Sequence, residues 1–189
     1  MILFIDTSAR ESVIGTIGER RNEMSFAPRS PELVPALRRL ARHGEVTKVA
    51  VATGPGSFTG LRVGVSFGLG LAMGLRIPIV PLSSFELQSR RADVPVVAVI
   101  EAGRGRFYYR LPDGTAGLGD PGEIPKGVAL AGRLAPEVQD ALRGAGHQVK
   151  SEGQLAPEID AAARLLETAP EVAYGSLELE YMQTFSAGA

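Results

Sequence analysis

Residues 53–74 constrain this chain more than any other stretch, because they join a glycine turn to an apolar helix. They read TGPGSFTGLRVGVSFGLGLAMG and follow an apolar run at 46–52 that is typical of a buried strand. Gly54-Pro55-Gly56 predicts a sharp turn, and Ser57 or Thr59 stands where a helix N-cap is expected. A strand, a turn and a helix in this order place backbone N–H groups at a helix N-terminus, where an anion can bind.

The predicted helix over 60–74 is unusual in its glycines. Gly60, Gly64 and Gly68 recur at every fourth residue, as do Gly70 and Gly74. Each glycine costs about 1 kcal/mol relative to alanine in a helix interior, so the helix needs a compensating gain. A glycine face allows another backbone to approach closely, and the other sides of the helix are apolar. We therefore expect a sheet on one side of this helix and another helix or subunit on the other.

The composition is that of an ordinary globular protein. The chain has 189 residues, of which 44% are hydrophobic and 22% charged, and its formal net charge is −1. This charge gives no overall attraction to nucleic acid or to a membrane surface. The chain contains no cysteine, which excludes disulfides and thiolate metal sites.

Neither the N-terminal residues nor the apolar helix favours a location in a membrane. Residues 1–6 lack a basic segment, and their apolar run is shorter than that of a signal peptide. The helix over 60–74 is shorter than the roughly 20 residues that span a bilayer. We expect a cytoplasmic protein without membrane contact.

The rest of the chain predicts strands and helices in alternation. A helix begins near Pro31 with Leu33, Leu37 and Leu40 on its core face. The glycine- and proline-rich residues 112–133 predict a loop. An apolar strand ending in an acidic residue, then a turn and a second strand, occurs in both halves and suggests a weak internal duplication. The fold class is α/β with a mixed sheet in each half. Strands are predicted at 2–5, 12–18, 23–27, 46–52, 77–81, 96–102, 106–111 and 148–150, and further helices at 83–91, 136–143 and 157–167.

Several kinds of catalytic site find little support. The GPGSFTG turn lacks the Lys-Ser/Thr pair of a phosphate-binding P-loop. Ser57 as a nucleophile needs a base, and neither His43 nor His147 lies in a recognisable motif, so a capping role is favoured. Those two histidines are far apart in sequence, and no dedicated metal centre is indicated.

The acidic turn after the first strand keeps a second hypothesis open. Asp6-Thr7-Ser8 is similar to the phosphate hairpin of actin-like and sugar-kinase ATPases, although Thr7 replaces the usual glycine. This alternative is a nucleotide-binding ATPase or phosphotransferase, and it predicts turnover that Asp6→Ala abolishes. Its candidate nucleotide- or phosphate-binding residues are Asp6, Thr7, Ser8, Gly56 and Ser57.

Several motifs together resemble one family. IDTS at 5–8, GPGSFTGLRVG at 54–64, PLSS at 81–84 and VIEAGRGRFYYR at 99–110 resemble the TsaB (YeaZ) family, in family order over residues 2–110. Only LEYM at 179–182 resembles the family beyond that point. The family assists in forming threonylcarbamoyladenosine on tRNA, at the position next to the anticodon.

The resemblance implies a two-lobed ASKHA (actin-like ATPase) fold with mixed sheets flanked by helices and a reduced second lobe. Residues 1–93 would form the N-terminal lobe with the partner-binding helices, and residues 94–189 the compact C-terminal lobe. The chain would be a degenerate relative of the catalytic subunit TsaD. It would therefore be a non-catalytic scaffold with no catalytic residues, no metal and no cofactor. A peptidase activity, suggested by older names in the family, lacks a base or a metal.

The resemblance also implies partners. The chain would dimerise with and activate a TsaD-like catalytic subunit, join a TsaE-like ATPase in a ternary complex, form a homodimer when alone, and meet tRNA only indirectly. A Gly64→Leu substitution is expected to abolish pairing and leave the monomer folded. The implied interface residues are Leu33, Leu37, Gly60, Val63, Gly64, Phe67, Gly68 and Leu71.

Overall fold

Two mixed β-sheets organise the molecule, and apolar strand runs form the centre of each. The computed structural model describes residues 1–42 and 46–182. The strands are β1 (Ile2–Asp6), β2 (Ser12–Ile17), β3 (Arg21–Phe26), β4 (Lys48–Gly54), β5 (Ile79–Ser83), β6 (Val97–Gly103), β7 (Arg106–Arg110), β8 (Ala116–Gly119) and β9 (Leu130–Ala131). The α-helices are α1 (Leu33–Arg42), α2 (Phe58–Leu75), α3 (Ser84–Ser89), α4 (Pro136–Gly144) and α5 (Glu158–Leu166).

The first sheet has the strand order β3-β2-β1-β4-β5. β1 pairs antiparallel with β2 and parallel with β4, and β4 is parallel to β5. The second sheet has the order β8-β7-β6-β9, in which β6 is antiparallel to β7 and parallel to β9. It thus repeats the arrangement of the first four strands of the first sheet, in agreement with the suggested internal duplication.

The first sheet is covered on both faces, because successive side chains of a strand point to opposite sides. Leu3, Ile5 and Val51 belong to a buried cluster with residues of α1 and α2. Phe4 and Ala52, one residue along each strand, belong to a second cluster that includes residues of α3 and α5. The first sheet therefore lies between two layers of helices, with β1 and β4 at its centre.

The chain after α5 returns to the first sheet. The Val172 amide donates to the Ile79 carbonyl (3.1 Å), and the Glu180 amide donates to the Thr53 carbonyl (2.8 Å). The Tyr174 hydroxyl lies within hydrogen-bond distance of the carbonyls of Ala72 (3.2 Å) and Ile77 (2.9 Å), at the C-terminal end of α2. We call residues 172–182 the return segment. The return segment and α5 both pack on the first sheet, although they follow residue 93 in the chain. The division into lobes at residue 93 stays a prediction.

The prediction of a loop over 112–133 is wrong at two places. β8 pairs with β7, and β9 pairs with β6. The Ala-Gly-Leu-Gly sequence of β8 has no β-branched or aromatic residue, so its strand conformation comes from edge pairing that local propensity does not show. Conversely, the strand predicted at 148–150 is reduced to a single bridge between Leu130 and Val149.

The glycines at 60, 64 and 68 face the inside of the same chain, which corrects their assignment to a partner interface. A Cβ at Gly60 would overlap the Thr7 carbonyl oxygen, one at Gly64 the Thr7 hydroxyl, and one at Gly68 the Val51 side chain. These three glycines let α2 lie directly on β1 and β4. Leucine at position 64 would therefore disturb the monomer itself, contrary to the expectation for Gly64→Leu.

α2 also meets the length and composition of a membrane-crossing helix, which corrects the statement that it is too short. It is 18 residues long, with a mean hydropathy of 1.4 and 28% of its residues buried. Taken alone this is weak support for a membrane span, since core helices of soluble proteins have the same properties. Its packing on β1 and β4 gives it a place in the fold.

The two sets of α2 glycines predict opposite effects of adding one methyl group. Gly60→Ala should lower the free energy of unfolding by about 1–3 kcal/mol, because the methyl group meets backbone that cannot move aside. Gly70→Ala, where nothing lies within 4 Å, should raise it by about 1 kcal/mol through helix propensity. Urea unfolding at concentrations where the chain is a monomer measures both; a Gly60→Ala protein as stable as the wild type would contradict the packing argument.

Candidate functional site: an outer helix face and a buried polar cluster

The turn after β1 and the turn before α2 lie against each other, as the sequence candidates require. The Ser57 amide donates to the Ser8 carbonyl (2.6 Å), and the Thr7 hydroxyl donates to the Gly60 carbonyl (2.6 Å). The Ser57 hydroxyl accepts from the Gly60 amide (3.2 Å) and caps α2. Ser57 is thus a helix cap, as favoured from the sequence.

The side chains of the acidic turn are almost completely covered. Asp6, Thr7 and Ser8 are 2%, 4% and 3% exposed. Gly56 is half-buried, and a Cβ there would overlap the Ser8 carbonyl oxygen. Ser57 is exposed, but its hydroxyl is engaged by the cap. The structure brings the five candidate nucleotide-binding residues together, yet leaves no open carboxylate or hydroxyl of Asp6, Thr7 or Ser8 for a ligand to reach. Nucleotide binding there stays a prediction.

A buried polar cluster lies behind this turn and joins distant parts of the chain. Glu158 at the start of α5 is 1% exposed and lies beside Asp6, whose proximity raises the pKa of Glu158. Its Oε2 accepts from Gln88 Nε2 (3.3 Å) and Arg133 Nε (3.1 Å). The cluster therefore ties β1, α3, α5 and the segment after β9 together by side-chain contacts.

Burial is the main reason that the pKa of Glu158 is raised. Desolvation, the neighbouring Asp6 charge and the hydrogen bond to Asp6 raise the pKa of Glu158 from 4.5 to about 8, against the lowering effects of Arg133 and Arg91. Burial thus favours the protonated form of this carboxyl group in the folded protein. This carboxyl group lies beside the acidic turn.

Two arginines supply the positive charge of this region. Arg133 lies 3.1 Å from Glu158, 3.5 Å from Glu23 and 3.8 Å from Glu11. Arg91, with only 1% of its side chain exposed, pairs with Glu152 and donates from Nε to the Ala156 carbonyl (2.9 Å). Each guanidinium joins segments that are far apart in the chain.

A cavity of about 420 Å³ opens next to the cluster. Its wall includes Arg10 and Arg133 on one side and Glu137 of α4 on the other, and Arg10 and Glu137 form an exposed ion pair of 2.7 Å. Glu101, at a neighbouring smaller pocket, is half-buried, and burial raises its pKa. The cleft is thus lined by charges of both signs that already pair with each other.

The outer face of α2 is the second feature of note. Val63, Met73 and Leu75 are 45%, 53% and 47% exposed, and a Cβ at Gly70 or Gly74 would meet nothing within 4 Å. Residues 63, 66, 70 and 74 recur at the spacing of one helix face. We call Val63, Ser66, Gly70, Met73 and Gly74 the outer face of α2.

The N-terminal end of this helix carries a small aromatic group. The Arg62 guanidinium lies 3.9 Å from the centre of the Phe58 ring. The centres of the Phe58 and Tyr181 rings are 5.5 Å apart. Arg62 is the single charged residue of α2. The helix thus presents one positive charge at its start and apolar or small residues beyond it.

The predicted interface residues divide between the inside and the outside. Val63 is exposed, and Phe67 and Leu71 are half-buried against the core. Leu33 and Leu37 are 9% and 1% exposed, so they hold α1 on the sheet rather than offering a surface. The exposed apolar residue of α1 is Val34, at 41%. Gly60, Gly64 and Gly68 face inward, as described above.

Sequence reasoning missed Glu158, Arg133 and Tyr174. Glu158 follows Pro157 in the first turn of a helix, where an acidic residue is ordinarily a solvated partner of the helix dipole. Arg133 lies in the stretch predicted as a loop, and Tyr174 in a tail for which no structure was predicted. No local pattern indicates that these side chains meet others far along the chain.

Metal and nucleophile sites can be assessed for the described residues. Among them, no group of three His, Asp or Glu side chains is arranged to hold a metal ion. His147 Nε2 lies 2.7 Å from the Pro121 carbonyl, in a buried position. His43 lies outside the described residues.

Comparison with known sequences gives several matches. A family model described as TsaD, tRNA N6-adenosine threonylcarbamoyltransferase, matches residues 36–116. A Haemophilus influenzae protein named tRNA threonylcarbamoyladenosine biosynthesis protein TsaB is 31% identical over 122 residues, covering 57% of this chain and 52% of that protein. The protein of the same name from Bacillus subtilis is 40% identical over 70 residues, covering 35% of this chain and 31% of that protein. The matches thus span about half of the relatives' length or less.

Comparison with solved structures supports the same fold. A Pseudomonas aeruginosa protein described as uncharacterized, with similarity to peptidase YeaZ, has a TM-score of 0.75 at 20% identity and covers 96% of this chain and 99% of its own. A structure described as YeaZ from the same organism has a TM-score of 0.73 at 19% identity, with the same coverage. These likenesses confirm the predicted α/β fold of ASKHA type, with mixed sheets flanked by helices.

Arg133 is predicted to contribute strongly to stability because its removal takes a hydrogen-bond donor from the buried Glu158 side chain and the cation from Glu23. Arg133→Met should lower the free energy of unfolding by about 3 kcal/mol. Arg143→Met, which removes an exposed pair with Asp140 on α4, should change it by about 0.5 kcal/mol or less. Thermal and urea unfolding compare the two variants; equal effects would show that the Arg133 contacts add no more than a surface pair.

Proposed function

We propose that this chain is a member of the TsaB/YeaZ family and acts as a non-enzymatic scaffold in the formation of threonylcarbamoyladenosine on tRNA. In this proposal it dimerises with a TsaD-like catalytic subunit in the cytoplasm and activates it. The names of its sequence relatives and the TsaD-type match over residues 36–116 support this role.

The observation that carries the proposal is the outer face of α2. An 18-residue apolar helix with 28% of its residues buried leaves a large part of its apolar surface in water. Such surface favours association, because burying it gains roughly 25 cal/mol per Å² of apolar area. Gly70 and Gly74 leave this face low in profile, so a partner helix can approach the backbone closely.

Activation then follows from fixing the partner's conformation. A partner helix packed on α2 would be held against a rigid layer, because α2 rests on β1 and β4 through Gly60, Gly64 and Gly68. Binding energy spent on one conformation of the partner raises the population of that conformation. The scaffold needs no reacting group of its own for this effect.

The proposal includes three further interactions, of which pairing between two copies of the chain uses the same face. Without the TsaD-like subunit, two copies of the chain would cover the face by pairing with each other. A TsaE-like ATPase would join the pair of unlike subunits, and tRNA would meet this chain only through the complex. Val34, 41% exposed, belongs to α1, whose buried residues share a core cluster with those of α2.

The test is mass measurement by light scattering after size-exclusion chromatography, on the chain alone and mixed with the TsaD-like protein of the same organism. The wild type should form a homodimer that is replaced by a heterodimer. Val63→Glu and Gly70→Leu should weaken both by thirtyfold or more, about 2 kcal/mol, since they place a charge or bulk in a packed centre.

Val128→Glu is the matched control. Val128 is also an exposed valine, at 37%, but lies in the second half of the chain, away from α1 and α2. It should pair as the wild type does. If Val63→Glu and Gly70→Leu still bind the partner with wild-type affinity, the outer face of α2 is not the interface.

A further inference from the structure

Two buried carboxyl groups from distant parts of the chain lie beside each other where α5 packs on the first sheet. Asp6 at the end of β1 is 2% exposed, and Glu158 in the first turn of α5 is 1% exposed. Asp6 Oδ1 accepts from the Ser8 amide (2.6 Å). Glu158 Oε2 accepts from Gln88 and Arg133. One oxygen of each carboxyl group is therefore accounted for.

The second oxygens have no donor. Asp6 Oδ2 and Glu158 Oε1 are both buried without a hydrogen-bond partner among the described residues. Two carboxylates in this position would repel each other, and each would keep an unsatisfied acceptor out of water. A single proton removes both difficulties, since a protonated Glu158 donates to Asp6 and one negative charge remains.

We propose that Asp6 and Glu158 hold one proton between them and so form a pH-sensitive latch that fastens α5 to β1. The proposal is independent of the scaffold function. The latch lies under the turn 6–8, so its release would uncover that turn and loosen the layer of α3 and α5 on this face of the sheet. The charged groups around the pair are Arg133, Arg91, Glu23, Glu152 and Glu11.

The direction of the pH effect follows from the free energy linkage. Burial, the Asp6 charge and the hydrogen bond to Asp6 raise the pKa of Glu158 to about 8 in the folded protein, above its ordinary value of 4.5. Between these values unfolding releases a proton, so stability falls as pH rises from about 4.5 to about 8. Below that window Glu158 is protonated in both states, and above it ionised in both, so the latch is weakest in alkaline solution.

Glu158→Gln imitates the protonated group, because its amide donates to Asp6 while its carbonyl accepts from Arg133. Urea unfolding of the wild type and this variant at intervals from pH 5 to pH 9 measures the difference. The unfolding constant of the wild type, relative to that of Glu158→Gln, should rise by up to tenfold per pH unit up to about pH 8 and then level off. Other acids with raised pKa values, such as Glu101, are common to both proteins and cancel in the ratio.

Asp6→Asn tests whether the raised pKa of Glu158 comes from a proton shared with Asp6 or from burial alone. Asparagine keeps the acceptor for the Ser8 amide and donates to Glu158, so Glu158 can ionise at lower pH, and the pH-dependent rise of the unfolding constant should level off at a lower pH than in the wild type. Glu167→Gln, at the exposed C-terminal end of α5, should keep the wild-type slope. A wild-type pH dependence in Asp6→Asn or in Glu158→Gln overturns the proposal.

Infrared spectroscopy of the wild type tests the proton without relying on a variant's folding. At pH 7 the protein should show the carbonyl band of a protonated carboxyl group, which disappears above about pH 8. Hydrogen exchange of residues 6–8 and of α5 at pH 9 should be faster in the wild type than in Glu158→Gln. Absence of the band at pH 7, or equal exchange in both proteins, contradicts the latch.

Discussion

The close contact between α2 and the strands β1 and β4 is the constraint on which the rest of the structure depends. Gly60, Gly64 and Gly68 allow the helix axis to approach the sheet more closely than side chains would permit. The same contact joins the turn after β1 to the turn before α2 through the Thr7 and Ser57 hydrogen bonds. Because these contacts turn three glycines inward, the other face of the helix is left with Val63, Gly70 and Met73. One helix therefore serves the core with one side and the surface with the other.

The acidic turn after β1 is buried by contacts within the chain. In this chain Asp6 lies beside Glu158, Arg133 pairs with Glu23 and Glu158, and Arg91 pairs with Glu152. A cleft of about 420 Å³ remains beside this cluster, but its arginine and glutamate side chains already form ion pairs. Polar groups that could serve a ligand here hold the layers of the molecule together.

Much of the fold was predictable from local pattern, whereas the contacts between distant segments were not. Apolar runs at β1, β4 and β6 and the glycine turn at 54–56 indicated their elements, because period and turn chemistry are local. β8 was missed because its small residues gain strand structure only from pairing with β7. The glycine spacing in α2 correctly indicated close backbone approach, but sequence cannot tell which face meets the sheet. Glu158 was missed because its burial depends on α5 docking against β1 and α3.

The return segment has a consequence for how the chain matures on the ribosome. Both ends of α2 are completed by residues near the other end of the chain: Tyr174 bonds to carbonyls at its C-terminal end, and Glu180 bonds to Thr53 just before its N-terminal turn. After residues 58–75 have been synthesised, about a hundred further residues must be added before these contacts can form. During that interval the two ends of α2 lack these contacts, so this part of the first sheet is completed late in synthesis.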